Sequence, residues 1–260
     1  MTPDEDKLIL AGATGGYREF RPSRTLDGHF RCIWCNTFRR HHGGHLAVVP
    51  DGCVDIVWID GELTVAGPDV AVAVSQIFPG STVIGMRFRP GAARKWLGLP
   101  MSEIVGRRVA LGDLWGARAR KIATAIADAA TTARRMRVLD AALCRLGPDL
   151  ELPPSDMGFV FDALEKVSAA GRGMSIILDR LEVSPRTLRR RCQETFGYGP
   201  KTLECILRFQ RFLRLASRVE RPRLADLAFD AGYADQAHLT REVRRLSGLS
   251  PATVLSQLHP

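Results

Sequence analysis

The sequence predicts an α+β protein: a β-rich N-terminal half with appended helices, then an all-α half of two helix-turn-helix units joined by a long helix. Three observations predict this. Short β-rich runs bounded by turn signals fill the chain to about residue 90. After about residue 155 the apolar residues recur at helical spacing. Between the two lies Gly147-Pro-Asp-Leu-Glu-Leu-Pro-Pro154, with three prolines in eight residues and no periodicity, the composition of a linker. The expected division is therefore a domain over 1–147, a linker over 148–155 and a second domain over 156–260. At 260 residues the chain is long enough for two cores.

In the first half, Leu46-Ala-Val-Val-Pro50, Val54-Asp-Ile-Val-Trp-Ile59 and Thr82-Val-Ile-Gly-Met-Arg-Phe88 read as strands of a small sandwich or barrel. Pro50-Asp-Gly52, Gly67-Pro68 and Pro79-Gly80 mark their turns. Gly91 to Leu97 reads as a short helix ended by Gly98. Asp113–Ala130 and Thr132–Leu146 read as two helices with Asp113 and Thr132 as N-caps.

The second half carries one pattern twice. In the cleaner copy, Leu224, Leu227, Ala228 and Ala231 form the inner stripe of a helix, Gly232 follows where a left-handed residue is needed, and Asp235 caps Gln236–Leu246. Leu239, Val243 and Leu246 face inward on that second helix, leaving Gln236, Ala237, Thr240, Arg241 and Arg244 outward. In the other copy, Met174–Leu181 precedes Ser184 as N-cap and Pro185 at the first helical position. Leu188, Cys192 and Phe196 face inward there, with Arg186, Arg189 and Arg190 outward. Four arginines in six residues on one capped helix repel each other unless a polyanion lies nearby. Residues 172–223 hold thirteen Lys or Arg against five Asp or Glu, out of a net charge of +9 for the chain. That concentration suits contact with a phosphate backbone. Gln pairs bidentately with adenine and Arg with guanine, so the outward residues are those of major-groove readers. The plainer alternative for each copy is a helical hairpin with a solvated polar face.

The run Leu224-Ala-Asp-Leu-Ala-Phe-Asp-Ala-Gly-Tyr-Ala-Asp-Gln-Ala-His-Leu-Thr-Arg-Glu, continuing to Gly248-Leu-Ser-Pro251, resembles the C-terminal domain of AraC/XylS-family transcriptional regulators. So do Phe196-Gly-Tyr-Gly-Pro-Lys201 and Leu207-Arg-Phe-Gln-Arg211. The resemblance implies that the second helix of each unit enters the major groove. Arg186, Arg189 and Arg190 then read bases in the first unit, with Gln236, Ala237, His238, Thr240, Arg241 and Arg244 at the DNA in the second. Arg191, Lys201 and Arg208 are the expected phosphate contacts. Double-stranded DNA is the expected partner, and a small-molecule effector and RNA polymerase are the further partners such a regulator implies. Either a monomer or a homodimer fits. The sequence departs from the family at Glu182, which replaces a turn glycine, at Leu178, and at Cys192 and Val243, which stand where a phenylalanine usually anchors the reader.

His45–Trp58, Gly67-Pro68, Gly85–Ala92 and Leu111–Trp115 resemble an N-terminal domain found with AraC-type readers. In the wider family such domains are cupin-like β-barrels that sense a small molecule or dimerise. Asp55, Trp58, Arg87 and Arg89 are the expected effector-pocket residues. A mutual Asp55–Arg87 ion pair is the alternative, since buried charges need partners. An alternative for the whole chain is a constitutive architectural protein whose N-terminal domain only mediates assembly.

Other classes find little support. No G-x-S-x-G, H-E-x-x-H or phosphate loop is present, so no enzyme and no cofactor are expected. Cys32-Ile-Trp-Cys35, with His41, His42, His45 and Cys53 downstream, invites a zinc reading. The segment reads as a strand, however, and residues three apart on a strand point to opposite faces. Structural thiols and no metal are expected. No apolar run reaches the length of a membrane span and the N-terminus is acidic, so a cytoplasmic location is expected.

Overall fold

The computed structural model describes residues 8–38, 44–147, 151–166, 173–220 and 222–259. His41 and His42 lie outside the described residues, as does the linker stretch 148–150.

The N-terminal part is built from two sheets. Strands β2 (Tyr17–Phe20), β3 (Phe30–Thr37), β5 (Asp55–Ile59), β6 (Glu62–Ala66), β8 (Thr82–Phe88) and β9 (Arg108–Ala110) form one sheet in the order β2-β3-β8-β5-β6-β9. Strands β1 (Leu8–Leu10), β4 (Gly44–Val48) and β7 (Ala73–Ile77) form the other, in the order β1-β4-β7. The three central strands match the runs expected from sequence to within two residues. β1, β2, β6, β7 and β9 were not among those expected: they are short, and β2 is exposed along its whole length, so it lacks the alternation that marks a half-buried strand.

Helix α1 (Ala93–Leu97) ends at Gly98 in the left-handed region, as expected. The single helix expected over 113–130 is instead two, α2 (Leu111–Trp115) and α3 (Ala117–Ala127). Gly116 separates them at φ +59°, ψ −136°, a conformation closed to residues with a side chain, so Asp113 lies inside α2 and caps nothing. α4 (Thr132–Leu146) is capped by Thr131 rather than Thr132, its hydroxyl accepting from the Arg134 amide.

Side-chain alternation sorts the β residues between three apolar layers. Ile56, Trp58, Ile84, Met86 and Phe88 pack one face of the large sheet against Trp96 and against Ile126, Leu139 and Leu143 of α3 and α4. Cys32, Trp34 and Val83 pack the opposite face against Leu46 of β4. Ala47, the next residue along, points away from that layer, and with Leu8 and Leu10 joins the core of the helical part. The small sheet is thus a middle layer shared by both halves.

The helical part comprises α5 (Ser155–Lys166), α6 (Gly173–Leu181), α7 (Pro185–Phe196), α8 (Pro200–Ala216), α9 (Leu224–Ala231), α10 (Gln236–Ser247) and α11 (Pro251–Leu258). Its centre is α8, whose Leu203, Ile206, Leu207, Phe209 and Phe212 are buried. α6 and α7 form the first helix-turn-helix unit, α9 and α10 the second.

Candidate nucleic-acid interface

Each unit presents a capped second helix. Ser184 accepts from the Thr187 amide at 3.2 Å and Pro185 opens α7. Asp235 accepts from the His238 amide at 2.6 Å and opens α10. The anchors smaller than phenylalanine, Cys192 and Val243, are both fully buried. Phe196 packs against Phe161 in a tilted pair to fill the first unit, with ring centroids 6.2 Å apart. The turns differ. Gly232 sits at φ +91° in the second unit, while the first uses Glu182 at φ +50°, a position that costs a residue with a side chain about 1–2 kcal/mol.

On α7, Arg186, Arg189 and Arg190 are exposed and, with Thr187 and Gln193, line a shallow concavity of about 540 Å³. On α10, Gln236, Ala237, Arg241 and Arg244 are exposed and Thr240 is half-buried, its hydroxyl donating back to the Gln236 carbonyl. These faces offer guanidinium and amide donors and one methyl, which is the chemistry of base edges and phosphates.

Three expected contacts lie elsewhere, and a fourth, Lys201, stays at the surface. Arg208 does not reach outward to phosphate. Its side chain is 12% exposed and grips Glu242 of α10 through two hydrogen bonds of 3.1 and 2.7 Å, beneath the ring of Tyr233. Burial lowers the Arg208 pKa, and the Glu242 carboxylate more than offsets that, so the group is held above its usual range. Arg191 pairs with Asp156 of α5 at 3.0 Å. His238 turns inward: its Nδ1 accepts from the Ala234 amide and its Nε2 lies 3.7 Å from Glu242. Lys201 is bound only loosely to Glu204, at 3.3 Å, with its side chain 80% exposed.

The expected effector quartet does not converge. Asp55 and Arg87 face each other across β5 and β8 and form a two-pronged ion pair at 3.1 and 3.0 Å, with Asp51 at 2.9 Å and Glu19 at 3.8 Å from the same guanidinium. Burial pushes the Asp55 carboxyl up while Arg87 pulls it down. Trp58 lies on the opposite face of the sheet, in the core, with Arg135 over its ring at 4.8 Å. Arg89 is tied to Asp27 at the surface. Period-two alternation separates residues 55 and 58, so one strand cannot aim both into one pocket. Cys32 and Cys35 likewise fall in different layers, and no group of three or more metal-ligating residues occurs among the described residues.

The turns of the N-terminal half press on the helical part. Asp51, held by Arg87, fixes the turn in which Gly52 at φ +80° lies against Phe161 and Leu203. Gln210 of α8 donates to the Pro50 carbonyl at 2.7 Å. Gly197, the left-handed cap of α7, is seated against Pro68, Val105 and the Met101 carbonyl, and Arg94 of α1 pairs with Glu194 of α7 at 2.7 Å. At the far end, the Gln257 side chain of α11 accepts from the Leu10 amide at 2.7 Å and donates to the Leu8 carbonyl at 2.8 Å, as a strand residue would. Sequence reasoning missed this seam, although its residues are those of the Pro-Asp-Gly and Gly-Pro turns.

Residues 177–257 match a family model described as a helix-turn-helix domain, which spans the second half of the first unit's opening helix through α11. The C-terminal unit is an AraC-type helix-turn-helix domain. Such a domain is the DNA-binding part of a transcription regulator. Residues 18–110 match a family described as a domain of unknown function (DUF6597), and this stretch supplies the turns on which the helix-turn-helix domain rests. Similar solved structures include an apo point variant of ToxT from Vibrio cholerae strain SCE256, at 12% identity and a TM-score of 0.49, covering 87% of this chain and 97% of that one. They also include ToxT from Vibrio cholerae O395, at 10% identity and a TM-score of 0.47, covering 87% and 98%. Unsaturated fatty acid-bound wild-type ToxT from strain SCE256 matches at 9% identity and a TM-score of 0.49, covering 86% and 95%. No curated protein sequence matches the chain. No helix among the described residues is long and apolar enough to cross a membrane.

Proposed function

We propose that the protein is a sequence-specific transcription regulator whose helices α7 and α10 read successive major-groove segments of one DNA site. The observation that carries this reading is the pair of capped helices on a single scaffold helix, each with its apolar stripe buried and its guanidinium and amide groups exposed. Arg186, Arg189 and Arg190 act at the first segment. Gln236, Ala237, Thr240, Arg241 and Arg244 act at the second, and Lys201 meets phosphate. The N-terminal domain modulates the readers mechanically, through the shared small sheet and the turns at Gly52 and Gly197, whether the signal is a small molecule or a protein partner such as RNA polymerase.

The test is selection of bound duplexes from a random pool by the full chain. Two half-sites about one helical turn apart, roughly 34 Å, are expected. Recovery of a single short motif, or of no motif, would count against two readers.

The constitutive alternative fits the tight packing of the seam itself. The cavity at the seam, between Gly52–Val54, Phe88–Gly91 and Thr195-Phe196, has a volume of about 10 Å³, room for about one water molecule. A thermal-shift screen of metabolites separates the readings: stabilisation by one compound together with altered DNA affinity supports an effector, and no stabilisation by any supports constitutive binding.

A further inference from the structure

The side chain of Glu242 points to the inner side of α10, next to Leu239, Val243 and Leu246, where a recognition helix needs only apolar groups. It is 6% exposed and meets Arg208 of the scaffold helix in a two-pronged pair. Tyr233, the residue after the turn glycine, covers the guanidinium, with Arg208 Cζ 5.0 Å from the ring centroid, and packs edge-on against His238 at 5.2 Å. Taking two charges out of water is costly, and a pair of apolar residues of similar size would hold two helices together at least as well. What a forked pair adds is direction: both nitrogen–oxygen contacts form at only one roll of α10 about its axis.

The first unit repeats the device with the charges exchanged. Glu242 stands seven residues after its cap Asp235, and Arg191 stands seven residues after its cap Ser184. Arg191 reaches back to Asp156 of α5 through a single contact of 3.0 Å, with its side chain 40% exposed. The same position on each recognition helix is thus tied to a supporting helix, tightly in the second unit and loosely in the first.

We infer that Glu242 and Arg208 are positioning residues for DNA sequence choice: they touch no DNA, and they fix the roll of α10 that aims Gln236, Arg241 and Arg244 at base edges. This rests on the reading of α10 as a base reader. It assigns the larger share of discrimination to the tightly tied helix, while α7, with its looser tie and its cluster of arginines, reads its half-site more weakly and supplies more of the affinity.

The experiment compares the full chain with the double variant Arg208→Met/Glu242→Leu, the single variant Arg208→Lys and, as a reference, Arg241→Ala. The probes are the duplex recovered by selection on the unaltered chain and a shuffled duplex of equal length, titrated at one salt concentration. The double variant is expected to keep its Tm and to bind the shuffled duplex within twofold of the unaltered chain. Its preference for the selected duplex is expected to fall at least tenfold. Arg208→Lys keeps the charge and loses the fork, and is expected to lose about half of that preference on a logarithmic scale. A folded double variant whose preference stays within twofold overturns the inference. If the double variant does not fold, Arg208→Lys decides alone, an unchanged preference overturning it. A preference lost in Arg241→Ala but kept in the positioning variants overturns this inference and leaves the DNA-reading proposal standing. An unaltered chain that prefers no duplex overturns both.

Discussion

The two helix-turn-helix units have the same parts and are held in different ways. The first leans on the N-terminal domain: Gly197 is packed into Pro68, Val105 and Met101, and Glu194 pairs with Arg94. The second is held from inside its own domain, by Arg208 and Glu242 on adjoining helices, and meets the N-terminal half chiefly through α11 and Gln257. On these contacts the N-terminal domain is linked more directly to α7 than to α10.

The largest expected effect tests that contrast directly. Gly197 and Gly248 end the two recognition helices in the same left-handed conformation, at φ +84° and +71°. Among the described residues a Cβ at Gly248 meets Val72 and Leu8, at 3.4 and 3.7 Å, whereas one at Gly197 lands 2.4 Å from Val105, 2.9 Å from Pro68 and 3.0 Å from the Met101 carbonyl. Gly248→Ala should cost about 1–2 kcal/mol, the backbone strain alone. Gly197→Ala should add roughly 1–3 kcal/mol of overpacking to the same strain. Chemical denaturation of both variants checks this, and equal losses would show that the two caps are held alike.

The next effect concerns DNA. Arg190 and Arg241 stand at the same distance from their caps and are both exposed. Arg241→Ala should lower affinity for the selected site by roughly 1–3 kcal/mol and leave the shuffled duplex nearly untouched. Arg190→Ala should weaken both duplexes, the selected one only slightly more than the shuffled one, and reduce the salt slope by about one. Titration at several salt concentrations measures both quantities. Matching behaviour of the two variants would show the units to be equivalent readers.

What the sequence made legible was local. Caps at Ser184 and Asp235, the proline at 185, the left-handed Gly232 and the buried stripes at Leu188, Cys192, Leu239 and Val243 all follow from spacings of a few residues, and all stand where they were expected. What it concealed was tertiary. Arg208 looks like one more cation on an arginine-rich helix, and its carboxylate is 34 residues away. The one available signal was Glu242, a lone acid among the inward residues of a basic helix. Asp55, Trp58 and Arg87 looked like one pocket because each was judged alone, while strand alternation already separated Asp55 from Trp58. Nothing local marks β1 as part of the helical core. Three to five residues in a middle layer carry too few alternations to show which side each faces.

The smallest expected effect sharpens the account of how the first unit is held. The Arg94–Glu194 pair is short, at 2.7 Å, but both side chains are substantially exposed, at 52% and 36%. Solvent screening limits such pairs to under about 1 kcal/mol. Glu194→Gln keeps the size of the side chain and a weaker hydrogen bond, so it should lower stability by a few tenths of a kcal/mol, and less in high salt. The substitution also removes a negative charge from a helix that is to approach phosphate, so non-specific DNA affinity should rise slightly rather than fall. The two signs together separate packing from charge. If Gly197 and its neighbours set the position of α7, stability barely moves and DNA affinity gains. A loss above about 2 kcal/mol, or a loss of DNA affinity, would instead make the ion pair the hinge on which the first reader is hung.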